Sequence, residues 1–298
     1  MRTLLLPTLL LCSLAAAQQV PDSLFTYRTK VPAYGSQQGP VVMLDGAHHN
    51  FHRKDDRYRA FANVLEADGY RVINGSERFT AEHLTQARVL VIANALGDDG
   101  PWQLPTAPAF TMEEVNVVLA WVESGGSLFL IADHMPFGGA AARLGRAFGF
   151  NWVNGYALRD DNAPELFSLT RGNLSANPIT AGSSPEERIE EIMLFTGSAF
   201  LPPPKATVIT RLDEDYTILL PQQAGQFSDT TAWIEGRYFS NGAMLEHGKG
   251  RLVCFGEAAM FSAQFGGPQR MPMGMNQRGA EQNAQFLLNV IHWLDHRL

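Results

Sequence analysis

The sequence predicts an α/β protein built on an open, mostly parallel sheet, and two observations support this fold class. Apolar runs with the length of buried strands alternate along the chain with segments of helical periodicity. Polar residues follow at once after three of these runs, 41–44, 128–131 and 252–255. The connections between parallel strands of an open sheet are right-handed crossovers. The carboxyl ends of such strands therefore lie at the same edge of the sheet, where ligands bind. We therefore expect the polar residues to share one cleft.

The elements of the regular part follow from periodicity and from end signals. An apolar helical stripe ends at Gly69, as expected of a helix C-terminus. Thr111 with Glu114 three residues later predicts a capping box, and Gly125 ends the helix that it begins. The predicted strands are 41–44, 70–73, 88–93, 127–131 and 250–255, and the later predicted helices are 111–124, 140–148 and 281–294.

The N-terminal residues 1–17 have the layout of a secretory signal peptide. Arg2 gives a positive start, residues 4–14 are apolar, and Ala15 to Ala17 form a small-residue cleavage site. A lipid on Cys12 is not expected, because Leu11 stands where such signals need a small residue. We expect cleavage after Ala17 and a secreted or periplasmic product.

Three further parts complete the predicted organisation. Residues 18–40 form a lead-in segment, and 41–298 form a single α/β domain. Residues 150–245 are irregular and predict an elaboration on the sheet edge, with strands at 207–212 and 216–220 in an antiparallel arrangement.

Composition excludes several classes of protein. A single cysteine, Cys254, follows the predicted signal peptide, so stability depends on the core rather than on disulfides. The net charge of −7 comes without a basic run, which argues against nucleic-acid binding. No segment after residue 17 is long and apolar enough for stable membrane insertion. The oligomeric state stays open.

The segment after the first strand, 45–52, holds the first candidate site. His48 and His52 are four residues apart, a spacing that places both rings on one face if the segment is helical. Neutral imidazole and carboxylate oxygens suit a divalent metal such as zinc. Asp45, His49 and Asn50 are candidate ligand-binding residues. In the alternative interpretation, the histidines bond loop backbone and Asp45 caps the turn.

The two other strand ends supply the candidate catalytic residues. Asp133 and His134 stand at a strand-to-helix turn with glycines nearby, the kind of turn that exposes reactive groups in α/β hydrolytic enzymes. Alternatively, Asp133 only caps the helix that Pro136 begins. Glu257 is a candidate general base, metal ligand or anchor for sugar hydroxyls, unless it pairs with an arginine of 270–278.

Asn276 is a further candidate for the rim of the cleft.

Four segments resemble one branch of the class I glutamine amidotransferase-like superfamily. They are 44–52, 130–138, 255–262 and 283–289. The branch is secreted, bacterial and of unknown function, and it is related to N-terminal domains of gliding-motility and intraflagellar-transport proteins. The resemblance implies a three-layer, flavodoxin-like fold. Glutaminases of this superfamily place a nucleophilic cysteine where this chain has Asp133 and His134, so we do not expect glutaminase activity.

Three functions stay open from the sequence. The first is an exported hydrolase that acts on carbohydrate or cell-envelope material. It would use a metal held by His48 and His52 with His134, Asp133 or Glu257, or a His/carboxylate pair without metal. The second is a non-catalytic module that binds a sugar or another small ligand. In the third, the polar cluster is a structural network that ties the strand ends together.

Overall fold

The computed structural model describes residues 19–159 and 165–298, so the predicted signal peptide lies outside the described residues. The strands are β1 (Val20–Pro21), β2 (Val41–Asp45), β3 (Arg71–Gly75), β4 (Val89–Ala93), β5 (Ser127–Ile131), β6 (Asn151–Arg159), β7 (Glu165–Ser168), β8 (Glu191–Leu194), β9 (Gly197–Leu201), β10 (Thr207–Arg211), β11 (Tyr216–Leu220), β12 (Ala232–Glu235), β13 (Ser240–His247), β14 (Gly250–Phe255), β15 (Ala263–Gly266) and β16 (Met271–Gly274). The helices are α1 (Arg59–Ala67), α2 (Ala81–Leu84), α3 (Met112–Glu123), α4 (Phe137–Ala147), α5 (Pro178–Ala181) and α6 (Asn283–Leu294).

Five parallel strands form one half of the main sheet, in the order β3-β2-β4-β5-β14. Numbered along the chain, this order is the 2-1-3-4-5 arrangement of flavodoxin-like sheets. The order reverses between β2 and β4, and such a switch point opens a crevice at the carboxyl ends of the strands. Ala93, Ile131 and Phe255 lie side by side in register, so β4, β5 and β14 end at the same level.

The other half of the sheet is antiparallel. β13 pairs with β14, and β9, β6, β11 and β12 follow outward, while β10 also pairs with β13. The predicted strands at 207–212 and 216–220 are confirmed as β10 and β11. The elaboration is therefore a continuation of the main sheet. Two small sheets accompany it, β1-β15-β16 and β7-β8.

Helices cover both faces of the parallel half, which gives the predicted three layers. Phe61 of α1 and Leu287 of α6 are buried against one face together with Phe129. Val118 of α3 and Leu144 of α4 are buried against the other face. Alternating residues of the buried strands point to opposite faces, so each strand contributes to both clusters.

Two helix starts show how local chemistry sets the boundaries. The predicted capping box is confirmed, with the Thr111 side chain accepting from the Glu114 N–H and the Glu114 side chain accepting from the Thr111 N–H. Helix α4 begins at Phe137, earlier than predicted, because Pro136 occupies its N-cap and presets the backbone there. None of the helices in the described ranges is long and apolar enough to cross a membrane.

Candidate functional site

The carboxyl ends of the parallel strands carry a row of polar residues. Asp45 ends β2, Asn94 follows β4, Asp133 comes shortly after β5, and Glu257 comes shortly after β14. All four are buried. Backbone hydrogen bonds fasten neighbouring ends together, from the Asn94 N–H to Ile131 and from the Ala132 N–H to Phe255. These residues thus lie along one edge of the sheet, where their side chains are shielded from solvent.

Asn94 fixes the protonation of His52 through two hydrogen bonds. Its Oδ1 accepts from the backbone N–H of Asp133 at 2.9 Å, so its Nδ2 must be the donor toward Nδ1 of His52 at 3.1 Å. Nδ1 of His52 is therefore unprotonated, and the neutral ring carries its hydrogen on Nε2. Burial, aided by the charges of Arg57 and His134, lowers the pKa of His52 to about 3. The buried Nε2–H has no hydrogen-bond partner within the described residues.

His48 lies between two carboxylates. Its Nδ1 lies 2.9 Å from both oxygens of Asp45, and its Nε2 lies 2.9 Å from Oε1 of Glu114. Both neighbours are acceptors, so both ring nitrogens donate and the ring is an imidazolium. Burial lowers the pKa of His48, but the bonds to Asp45 and Glu114 outweigh it and raise the pKa overall. Asn50 completes the network by donating to Oδ2 of Asp45 at 3.0 Å.

Asp133 and Glu257 form a buried carboxyl pair. Burial raises the pKa of Glu257 well above its usual range, and the charge of Asp133 adds to this. Burial likewise raises the pKa of Asp133, against the lowering effect of His134 and Asn94. The oxygens of Glu257 accept from the N–H groups of Ala259 and Met260, at 2.6 and 2.8 Å. The pair therefore holds a proton to a higher pH than carboxyl groups in water do.

His134 is the half-buried member of the site. Its Nδ1 lies 2.9 Å from the carbonyl oxygen of Met135, which can only accept, so Nδ1 carries a hydrogen. The ring stacks on Tyr156 with a centroid distance of 4.4 Å and an interplanar angle of 12°. The Tyr156 hydroxyl donates to the same Met135 carbonyl. The ring of His134 is thus fixed through Nδ1, and its Nε2 makes no hydrogen bond within the described residues.

The donor set does not fit the predicted zinc site at His48 and His52. Both ring nitrogens of His48 already donate to carboxylates, and Nε2 of His52 carries a hydrogen instead of a lone pair. Metal-bound imidazole must offer a lone pair. No group of three or more histidine, cysteine, aspartate or glutamate residues within the described ranges could hold a metal ion.

Two predicted ligand-binding residues lie outside the buried cluster. His49 is half-exposed and pairs with the exposed Asp99 at 2.9 Å, because its backbone turns with a φ of 46°. Asn276 belongs to the small sheet region instead, where it donates to Asp22 at 3.1 Å and to the carbonyl of Gln264.

The alternative role for Asp45 is also present, since its Oδ1 accepts from the Ala47 N–H. Glu257 bonds backbone amides and not the arginines at 270 or 278.

Three residues of the site were not predicted. Asn94 follows a strand as the predicted carboxylates do, so its position was a signal that sequence reasoning could have used. Glu114 gave a signal only for its capping role, and its second bond, to His48, depends on how α3 packs. Tyr156 lies in the irregular part, where no sequence pattern indicated a contact with His134.

Solved structures share this fold, although their sequences are distant. The mmIFT52 N-terminal domain matches with a TM-score of 0.57 and 13% identity, covering 85% of this chain and 96% of that one. The Cytoplasmic Protein STM1381 from Salmonella typhimurium LT2 matches with a TM-score of 0.52 and 14% identity, covering 85% and 98%. The predicted resemblance to intraflagellar-transport N-terminal domains is confirmed at the level of the fold.

A ThuA-like protein from Bacteroides uniformis ATCC 8492 is also similar, with 11% identity and coverage of 90% and 94%, but its TM-score of 0.46 is too low to carry an argument. No protein-family model matches the chain. No curated protein matches it either.

Proposed function

We propose that the chain is an exported hydrolase of the glutamine amidotransferase-like fold that works without the superfamily's cysteine nucleophile and without a metal. His134 is the general base, and the Asp133–Glu257 pair is the proton donor. The observation that carries this proposal is the placement of His134: its Nδ1 is taken up by a carbonyl, its Nε2 makes no hydrogen bond within the described residues, and it directly follows Asp133, whose pKa, like that of Glu257, is raised by burial. Neighbouring titratable groups in different environments take the acid and base roles in many enzymes.

The proposed reaction is the hydrolysis of carbohydrate or cell-envelope material. His134 takes a proton from water as the water attacks, and the carboxyl pair gives a proton to the departing oxygen. The Nε2–H of His52 donates to a substrate oxygen, since a buried donor without a partner costs about 1–3 kcal/mol until a ligand or water satisfies it. The choice of substrate rests on the predicted export.

A non-catalytic ligand-binding module is the second candidate. Its support is that both oxygens of Glu257 already accept backbone N–H groups, a task that a structural residue also performs. In that case the unpartnered Nε2–H of His52 and the lone pair of His134 only bind hydroxyl groups of a ligand.

Replacing His134 separates these functions. We expect His134→Ala to lower the hydrolysis of chromogenic glycosides, esters or envelope fragments by about 100-fold or more, because a positioned base contributes that much. His49→Ala is the matched control, since His49 lies at the same strand end but outside the cluster. Activity should survive chelation, and thermal melting would verify that the variant is folded.

Other results would change the assignment. Ligand binding by the unaltered protein without any turnover would favour the binding module. Full activity in His134→Ala would exclude His134 as the base, and loss of activity on chelation with recovery on zinc addition would overturn the metal-free proposal.

A further inference from the structure

The loop between β11 and β12 borders an open cavity of about 440 Å³. Amide, hydroxyl and apolar side chains line it, and within the described part of the chain no charged side chain does. In a chain with 18% charged residues, a cavity of this size with a neutral lining points to an uncharged ligand. Asp229 belongs to the loop but does not line the cavity.

A chain of aromatic contacts connects this cavity to the proposed base. Phe227 lines the cavity and meets Tyr156 edge-on, with ring centroids 5.1 Å apart. Tyr156 in turn stacks on His134 at 4.4 Å. Tyr156 therefore contacts both a residue of the cavity wall and the proposed base.

The loop is held in place from its outer side. The Leu104 N–H donates to the Gln222 carbonyl at 2.9 Å, and the Ala224 N–H donates to the Trp102 carbonyl at 2.8 Å. Trp102 is itself packed on Phe137 of α4, with ring centroids 5.1 Å apart. Fastening of this kind fixes the cavity before a ligand arrives and lowers the ordering cost of binding.

The lining offers the groups that recognise neutral sugars. Gln222, Gln223 and Gln226 are exposed, and their side-chain amides have no hydrogen-bond partner in the described ranges. An amide both donates and accepts, as a sugar hydroxyl does. The ring of Phe227 is 44% exposed and offers an apolar surface to the C–H face of a sugar. The net charge of −7 also disfavours the binding of acidic polymers, because like charges repel.

We infer that this loop is a subsite for an uncharged polysaccharide, which it holds next to His134. The inference rests on the proposed function and narrows it from envelope material in general to neutral glycans. The subsite binds a neighbouring sugar unit of the same polymer, while the reacting bond lies at the strand ends.

Binding measured in the absence of turnover tests the subsite. His134→Ala protein would be run by affinity electrophoresis against neutral polymers (dextran, mannan and a soluble β-glucan) and acidic ones (alginate and polygalacturonate). We expect binding to at least one neutral polymer and none to the acidic ones. Adding Phe227→Ala to the His134→Ala protein should raise the dissociation constant for that polymer about tenfold or more, which corresponds to about 1.4 kcal/mol of binding free energy.

Trp233→Ala is the matched control, because Trp233 is an aromatic residue of the same hairpin that is 59% exposed and does not line the cavity. Equal binding by Phe227→Ala and Trp233→Ala, or no binding to any neutral polymer, would overturn the subsite. Neutral-glycan binding that depends on Phe227, together with no hydrolysis by the unaltered protein, would support the subsite and reject the proposed function.

Discussion

Asn94 shows how one amide can decide the chemistry of a histidine. Because its oxygen accepts from the Asp133 N–H, its nitrogen faces His52 and forces that ring into the tautomer with hydrogen on Nε2. Asn94 therefore prevents His52 from acting as a base. It also prevents Nε2 of His52 from binding a metal, because that nitrogen carries the hydrogen. His134, whose Nδ1 faces a carbonyl instead, donates from that nitrogen. Two histidines near one edge of the sheet thus use Nδ1 in opposite ways because of their partners.

His52 should make the protein less stable in acid. Burial lowers its pKa from 6.5 to about 3, so between these values the unfolded chain binds a proton that the folded chain does not. Its contribution to stability is complete above about pH 6.5 and falls toward pH 3, by at most roughly 1.4 kcal/mol per pH unit. His52→Gln removes this effect, since glutamine can still accept from Asn94 without titrating.

Urea unfolding of both proteins across this window gives the measurement. The free energy of unfolding of the unaltered protein minus that of His52→Gln should decrease steadily as the pH falls. A constant difference would mean that His52 is not held neutral in the folded protein.

The sequence predicted the strand-end residues but not their partners. Asp45, Asp133 and Glu257 were recognisable because each directly follows an apolar run. The bond between His48 and Glu114 joins residues from different elements, and its existence depends on the packing of α3 beside the first strand end. Sequence spacing alone could not distinguish a salt-bridged His48 from a metal ligand.

At the scale of elements, the capping box of α3 links helix stability to the site. Thr111→Ala removes the side chain that accepts from the Glu114 N–H, and we expect a loss of about 1 kcal/mol in the free energy of unfolding. Thr80→Ala is the matched control, because Thr80 caps only the four-residue helix α2. Denaturant unfolding would measure the free energy of unfolding of both variants. A loss for Thr80→Ala as large as that for Thr111→Ala would contradict a special role for the Thr111 cap.

The strands with a regular apolar pattern in the sequence were predicted most accurately. Strands β5, β11 and β14 lie at the predicted residues, since buried apolar runs between glycines or polar turns leave little choice. Strands such as β9 and β16 gave no such signal. Their positions are set by their neighbours in the sheet, and β16 even contains a proline.

At the scale of the whole molecule, export stays a prediction, and the position of β1 is compatible with it. Strand β1 begins at Val20 and pairs with Phe265, so cleavage after Ala17 leaves this strand intact. Mass spectrometry of the exported protein should find Gln18 as the first residue. Ala17→Leu should block cleavage, whereas Ala16→Leu should permit it, because signal peptidases read the small residues on either side of that position. A lipid on Cys12 would contradict the prediction.

The parallel half of the molecule was predictable as a whole. Alternation of strands and helices determines it, because crossover handedness restricts the topologies. For the antiparallel half, the position at the sheet edge and the strands β10 and β11 were predicted, but not the strand order. This half joins the first through the hairpin of β13 and β14, which pair over Gly242 to His247, and only the three-dimensional pairing shows that order.

The position of β14 has a consequence for the growing polypeptide. This strand lies between β5 and β13, and Glu257 follows it, so the partner of Asp133 is supplied by a late part of the chain. An unfinished chain that stops before residue 250 leaves the hydrogen-bonding edge of β5 open to other chains and carries only half of the carboxyl pair. Aggregation would therefore accompany a stop before residue 250, and the proposed acid–base pair forms only after Glu257 has been added to the chain.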